Sequence, residues 1–248
     1  MKRITFVVAL ILAVMVAAPA LAQSKNVDLE AADGTTLKAT YTSPSRPGGS
    51  FVFGPAMLLI HQCNMDRHSW KDISSSLVQA GVHVLTMDLR GFGDSGGEPL
   101  SSAGFQNLMM KSPADLDMAY EYLTSQAGVD DSRVAVGGAS CGAMLTADLA
   151  SRHDGITTLM LLSGPPSEAA VAHIASTPDL GVFAAAATGD TITPGVSDAL
   201  KGAVDGSKHP KSMAKIYGGT EHGLPMFEKN PDLQPALLSW LKGQLLSN

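Results

Sequence analysis

Residues 133–143, RVAVGGASCGA, decide how the rest of the chain is read. The run from Arg133 to Val136 is short, apolar and strand-like, and residues 143–151, AMLTADLAS, have helix-forming composition. Between them stands Gly138-Ala139-Ser140-Cys141-Gly142. A chain that passes from strand to helix over so few residues must turn sharply, and the apex residue is held in a strained backbone conformation. The flanking glycines carry no Cβ, so neighbouring backbone can come close on either side. Ser140 then projects its hydroxyl from the sheet edge, beside helix N–H groups that favour developing negative charge. Taken alone, Gly-x-Ser-x-Gly also describes a glycine-rich turn before a helix, so the surrounding pattern has to decide.

Outward from this turn, strands alternate with helices. Continuous apolar runs at 56–60 and 82–87 upstream, and strand-like segments at 156–162, 182–187 and 212–217 downstream, read as strands. Residues 69–80 have helical spacing, with Trp70, Ile73, Leu77 and Val78 on one side. A second helix is expected over 113–127, with Pro113 in its first turn and Leu116, Ala119, Tyr120 and Leu123 facing inward. Shorter helices are expected at 166–175 and 196–204, and an amphipathic one at 233–246. This alternation calls for an α/β fold, a mostly parallel central sheet with helices on both faces. Residues 26–31 and 36–42 alternate around Asp33-Gly34 and add an antiparallel hairpin at one edge. Residues 43–50, SPSRPGGS, read as a loop, and 88–104 as a long glycine-rich loop. No repeat or second domain is visible, so residues 23–248 read as one domain. No long insertion separates Leu162 from Val182, which argues against a large lid and for an open site.

The bulk numbers exclude several classes of function. The chain has 248 residues, 45% hydrophobic and 16% charged, enough for one sizeable core. Its net charge is −6, with no basic patch and no Lys/Arg run beyond Lys2-Arg3, which argues against a nucleic-acid partner. No His-Glu-x-x-His or Cys-x-x-Cys spacing suggests a metal, and no motif suggests a cofactor. Residues 1–22 read as a secretory signal peptide: Lys2 and Arg3 are basic, 4–16 is apolar apart from Thr5, and Ala20-Leu21-Ala22 is an A-x-A cleavage site. The run is short for a membrane anchor and ends in Pro19 and small residues. Cleavage after Ala22 leaves a mature protein that is periplasmic or secreted and has no membrane segment.

In a sheet of this kind ligands bind at the carboxyl ends of the strands. The candidates there are His61-Gln62-Cys63, Asp88, Ser140, Ser163-Gly164, Gly189-Asp190 and Glu221-His222-Gly223. A serine hydroxyl is a weak nucleophile and needs a base, and the base needs a carboxylate to fix its tautomer and stabilise the imidazolium. His222 lies in a glycine-rich loop directly past a strand, and Asp190 follows its own strand in Thr188-Gly189-Asp190-Thr191. The chain order is therefore serine, aspartate, histidine. His209 precedes its strand and His83 lies inside one, while His153 and His173 belong to helix ends or surfaces. His61 is at the correct end and is the competitor for the base, but it precedes the serine. Asp88 reads as a loop-fixing partner of Arg90.

These residues together resemble the α/β-hydrolase fold serine hydrolases, nearest the small lidless members such as dienelactone-hydrolase-like and esterase-like proteins. The resemblance runs from about Ala56 to Leu246 and includes LLIHQCNMDRHSW, MDLRGFGDSGG, GGASCGA, ATGDTITP and GGTEHGLP. It implies Ser140 as nucleophile, Asp190 as acid and His222 as base, with the backbone N–H groups of Cys63 and Cys141 forming the oxyanion hole. The implied activity is hydrolysis of a small-molecule carboxylic ester through an acyl-enzyme. A thioesterase, peptidase or amidase would use the same triad, and a non-catalytic binding protein could keep the fold. Two departures stand out. His61-Gln62 replaces the family's usual His-Gly, and Ser140 stands where dienelactone hydrolases proper have cysteine, so a dienelactone substrate is not implied.

Cys63 and Cys141 are the only cysteines and would flank that oxyanion hole. They are either two small buried space-fillers or, in an oxidising compartment, a disulfide pinning the two oxyanion loops, provided their Cα atoms approach within about 7 Å. Asp94-Ser95-Gly96-Gly97 has no lysine and does not run from strand into helix, so it reads as a solvated turn and not a phosphate loop. Met109, Met110 and Trp70 could line an acyl pocket, or serve as core and helix contacts.

Overall fold

The continuous apolar runs at 57–60, 134–136, 159–162 and 182–187 lie in the middle of the sheet. The computed structural model describes residues 21–45 and 52–247. The strands are β1 (Leu21–Glu30), β2 (Thr36–Ser45), β3 (Gly54–Ile60), β4 (His83–Met87), β5 (Val129–Ala139), β6 (Ile156–Leu162), β7 (Gly181–Ala187) and β8 (Met213–Tyr217). They form one eight-stranded sheet in the order β1-β2-β4-β3-β5-β6-β7-β8. The β1–β2 and β2–β4 pairings are antiparallel, and every pairing from β4 across to β8 is parallel. All residues of β3, β4 and β7 are buried, as a strand covered on both faces requires.

Each strand feeds two cores by its period of two. Leu58 and Ile60 of β3 face one core with Val136 and Leu161, and Met57 and Leu59 face the other with Ala135 and Phe183. The first core is closed by α3 (Phe105–Thr124), α4 (Cys141–Ala150), α5 (Glu168–Ser176) and α6 (Val196–Asp205). The second is closed by α1 (Lys71–Gln79) and α8 (Leu233–Leu245), with Trp70, Ile73, Leu77, Leu237 and Leu241 buried against the sheet. Each such side chain contributes roughly 1.5–3 kcal/mol by leaving water, so the sheet is held firmly from both sides. Only α5 stands between β6 and β7, and no lid covers the sheet's carboxyl edge among the described residues.

Several boundaries differ from the sequence reading, each for a physical reason. The hairpin is longer than expected: Ser43 to Ser45 belong to β2, paired with Gln23 to Leu21, and are not loop. Residues 1–20 of the expected signal peptide lie outside the described residues, as do 46–50 of the expected loop. Leu21 and Ala22 open β1, and a cut after Ala22 would leave Gln23 to Glu30 of that strand in place. The helix expected from Pro113 begins at Phe105, so Pro113 is interior. Leu108 and Ser112 extend the buried stripe of Asp115, Leu116, Ala119 and Leu123 about two turns toward the N-terminus, and that burial outweighs the backbone hydrogen bond that Pro113 cannot donate. The helix expected over 69–80 is preceded by a 3-10 turn, Arg67–Trp70, capped by the Asp66 side chain on the His68 N–H. A one-turn helix, α2 (Leu100–Ala103), interrupts the long loop, and α7 (Met226–Lys229) follows the histidine loop. Trp70 is core, Met109 packs against the core, and Met110 is exposed.

Candidate active site

The elbow is built as the sequence dictates. Ser140 joins β5 to α4 with φ 54 and ψ −124, a left-handed conformation that a residue with a Cβ adopts only under constraint. The constraint is the packing on either side. A Cβ on Gly142 would sit 2.5 Å from the carbonyl oxygens of Ile60 and His61, and one on Gly138 would collide with the Gly142 backbone. The Ser140 N–H donates to Leu162 O at 2.7 Å, and its carbonyl receives the Ala143 and Met144 amides, so the turn is tied both to β6 and to α4.

Asp190 and His222 come from the ends of β7 and β8 and meet. His222 Nδ1 and Asp190 Oδ2 are 2.6 Å apart, and the aspartate is 5% exposed. The other carboxylate oxygen accepts the Ile192 and Thr193 amides at 2.9 and 3.0 Å, which fixes the carboxylate plane. The two loops are also joined by backbone, since the Gly189 N–H donates to Gly219 O. With Nδ1–H directed at the carboxylate, Nε2 carries the free lone pair. That atom is buried and has no hydrogen-bond partner, the Ser140 hydroxyl included. The histidine loop nevertheless lies against the elbow, because Gly223 packs beside Ala139 and the Gln62 side chain.

The competitor histidine is spent. His61 is fully buried; its Nδ1 lies 2.8 Å from Gln62 O, and its Nε2 accepts the Leu89 N–H at 3.0 Å. Burial holds its pKa below the usual histidine range, so it stays neutral as a structural bridge between β3 and β4. The other rivals are placed as expected. His83 bridges Tyr41 Oη and Val52 O inside the sheet, His153 contacts Asp117, and His209 sits by the amino end of β7 near Gly181.

Asp88 is corrected. It does not pair with Arg90 but with Arg67, which contacts it through both its guanidinium and its backbone N–H. Arg90 instead makes a bidentate pair with Asp115, at 2.6 Å on each oxygen, and a further contact to Asp33. No sequence signal marked Arg67 as the partner; it reaches Asp88 because the 3-10 turn lies across the end of β4. Asp94 also binds Arg67, while Ser95 and Gly96 hydrogen-bond to Asp88 and β2. The 94–97 segment is therefore a loop fastened to the protein, and its own carboxylate opposes phosphate binding.

Cys63 and Cys141 are joined by a disulfide, with Cα atoms 5.9 Å apart. It links the residue after Gln62 to the residue after Ser140. Neither cysteine's amide donates a hydrogen bond among the described residues. No group of three or more His, Cys, Asp and Glu side chains that could hold a metal occurs among the described residues, and no helix there is long and apolar enough to cross a membrane.

A strained serine at a strand-to-helix turn, on a sheet of this order with helices on both faces, defines an α/β-hydrolase fold. The family model described as serine aminopeptidase, S33, matches residues 55–215, well over half of the chain, and the chain belongs to that family of hydrolases. The match includes Ser140 and Asp190 and ends before His222. Among solved structures, an esterase of Pyrococcus furiosus superposes with a TM-score of 0.68 at 16% identity, covering 90% of this chain and 91% of that one. An acetyl xylan esterase from Paenibacillus sp. R4 gives a TM-score of 0.69 at 17% identity, covering 92% and 90%. An α/β hydrolase from Penicillium sp. sh18 gives 0.68 at 16%, covering 91% and 100%. At these identities the likeness is one of fold. An uncharacterized protein of Mycobacterium tuberculosis is 34% identical over 134 residues, 54% of this chain and 43% of that protein, so the chain spans under half the length of that curated relative.

Proposed function

We propose that this hydrolase cleaves carboxylic esters of small molecules through an acyl-enzyme on Ser140, with His222 as base and Asp190 as acid. The observation that carries the reading is the 2.6 Å Asp190–His222 contact, which leaves a buried and unpartnered Nε2 on the same sheet edge as the strained Ser140. Ser140 Oγ attacks the ester carbonyl carbon while Nε2 takes its proton. The Ser140–Nε2 hydrogen bond is the contact that bound substrate must complete, as such bonds tighten in the reacting complex. The carbonyl oxygen becomes an oxyanion held by the Cys63 and Cys141 amides, each worth about 3 kcal/mol of barrier. Collapse expels the alcohol, which takes the proton from His222. Water attacks the acyl carbon, gives its proton to the same histidine, and the proton returns to Ser140 as the carboxylic acid leaves. The scheme draws only on side chains and backbone of this chain.

The esterases among its structural neighbours support an ester substrate. The family's description supports a second reading, hydrolysis of an N-terminal amide bond by the same groups. A panel of p-nitrophenyl esters of rising acyl length beside aminoacyl p-nitroanilides separates the two, with Ser140→Ala as control. Ester turnover that is lost in S140A, together with a fluorophosphonate adduct on Ser140, is the expected result. No adduct in folded protein would sink the catalytic reading and leave a binding module. We further propose that the chain is exported to the periplasm or medium with cleavage after Ala22; the basic-apolar-small pattern of residues 1–22 and the disulfide support this. N-terminal sequencing of the mature protein beginning elsewhere than Gln23 would refute the cleavage site.

A further inference from the structure

We infer that Gln62 is a positioning residue that clasps the histidine loop to the oxyanion loop and so sets where His222 meets Ser140. The inference rests on the triad reading and adds a residue to it.

Gln62 is the departure from the family's His-Gly, and it is 3% exposed. Its backbone carbonyl organises its own loop, receiving the Asn64 and Met65 amides at 2.8 and 3.0 Å and lying 2.8 Å from His61 Nδ1. Its side chain works across the site. Gln62 Oε1 accepts the Leu224 N–H at 2.8 Å, bridging 162 residues of sequence, and Nε2 donates to Asn64 Oδ1 at 2.7 Å. The first bond fixes which end of the amide faces Leu224, because a backbone N–H can only donate and an NH2 turned that way would meet another donor; Nε2 is thereby left to donate to Asn64.

The fit is close on the loop side as well. Gly223 has φ +67, and a Cβ there would collide with Gln62 Oε1. Gly223 and Gln62 are therefore shaped to each other: the larger side chain at 62 occupies the room that glycine leaves at 223. His222 is the residue between this clasp and the loop's other anchor at Gly189. Without Gln62, the Leu224 amide loses its partner, and that side of the loop keeps only the apolar packing of Leu224, Met226 and Phe227 in the second core. The Asp190–His222 bond would survive, while the aim of Nε2 at Ser140 would loosen. A displacement of that kind acts on kcat and leaves substrate binding nearly alone.

The test compares Gln62→Met and Gln62→Glu with wild type, using p-nitrophenyl acetate turnover over pH 5–9 and Tm as a check on folding. Met keeps the volume and removes both hydrogen bonds. Q62M should lose kcat by on the order of 10- to 100-fold, with KM within about threefold. Glu can still accept from Leu224, and a flipped Asn64 amide can donate to its second oxygen. Q62E should recover most of kcat, and its added negative charge should move the acidic limb of the kcat/KM profile to higher pH by favouring the imidazolium. A merely space-filling role would leave Q62M as active as wild type, so the kcat loss in Q62M and its recovery in Q62E carry the test, while the shifted pH limb reports only the added charge. Wild-type kcat retained in folded Q62M, or Q62E as impaired as Q62M, overturns the inference. A wild type without S140A-sensitive turnover would instead overturn the triad reading, and this inference with it.

Discussion

Two histidines stand at the carboxyl edge of the same sheet, and their surroundings differ in what they leave uncommitted. His61 has both ring nitrogens engaged, one against its neighbour's carbonyl and one by the Leu89 amide, and no solvent reaches it. His222 has one nitrogen on Asp190 and one buried and free. A base must keep a lone pair uncommitted, so position at the strand end is not enough; the hydrogen-bond account of the second nitrogen decides. The loops that carry them differ in the same sense. The His61 side is locked covalently through Cys63–Cys141, whereas the described contacts of the His222 loop to the protein are noncovalent.

The largest effect that can break this comparison is loss of the base. His222→Ala should lower kcat/KM on the ester substrate by about 10⁴–10⁶, and Asp190→Asn by on the order of 10⁴, because the carboxylate sets the imidazole tautomer. His61→Gln, which can still donate and accept, should cost no more than about tenfold, through the shape of the oxyanion loop. Steady-state kinetics on the three purified variants checks the ranking. If H61Q falls as far as H222A, the two assignments are exchanged.

The contrast also marks what could be read before the structure. The order of serine, aspartate and histidine was legible because each follows an apolar run, and strand ends are visible in the pattern of such runs. The parallel middle of the sheet and its antiparallel hairpin were legible for the same reason. Pro113 misled because proline favours a helix start, and the Leu108-to-Leu116 stripe that overrides it shows only when the core is assembled. Arg67 was missed as the partner of Asp88, since an ion pair across a 3-10 turn and a strand end has no sequence period. Gln62 was visible as an odd residue, but its partner lies 162 positions away.

A smaller effect tests the covalent lock. Alkylation of the unfolded chain without reductant, read by intact mass, should leave Cys63 and Cys141 unlabelled. The Cys63→Ala/Cys141→Ala variant removes a bridge across 78 residues. It should lose about 2–4 kcal/mol of stability, roughly 5–15 °C in Tm. Turnover below the melting range should fall severalfold while fluorophosphonate still labels Ser140, since Ser140, Asp190 and His222 are held by other contacts. An unchanged Tm would mean that Gln62 and His61 already hold that loop, and the two sides would then be alike.

The smallest effect is in the pH dependence of stability, and it sharpens the distinction between histidines that bridge and the one with a free nitrogen. Burial lowers the pKa of both His61 and His83 in the folded protein. Each uses one nitrogen as an acceptor, His61 from the Leu89 amide and, with Nε2–H given to Val52 O, His83 from the Tyr41 hydroxyl. The Tyr41 pKa is pushed up to about 12, so that hydroxyl keeps its proton to donate. Protonating either ring would break the accepted bond and bury a charge. An unfolded histidine titrates near 6.5, so below that pH the unfolded chain takes up protons the folded one refuses. Stability from these two sites is therefore complete above about pH 6.5 and is lost as pH falls toward their lower folded values. Thermal melts between pH 8 and 5 should show Tm flat in the upper part and falling in the lower. In H61Q the decline should be shallower, because one of the proton-refusing rings is gone. A decline equally steep in H61Q would mean that His61 accepts a proton in the folded state, and its place as a neutral bridge would be lost.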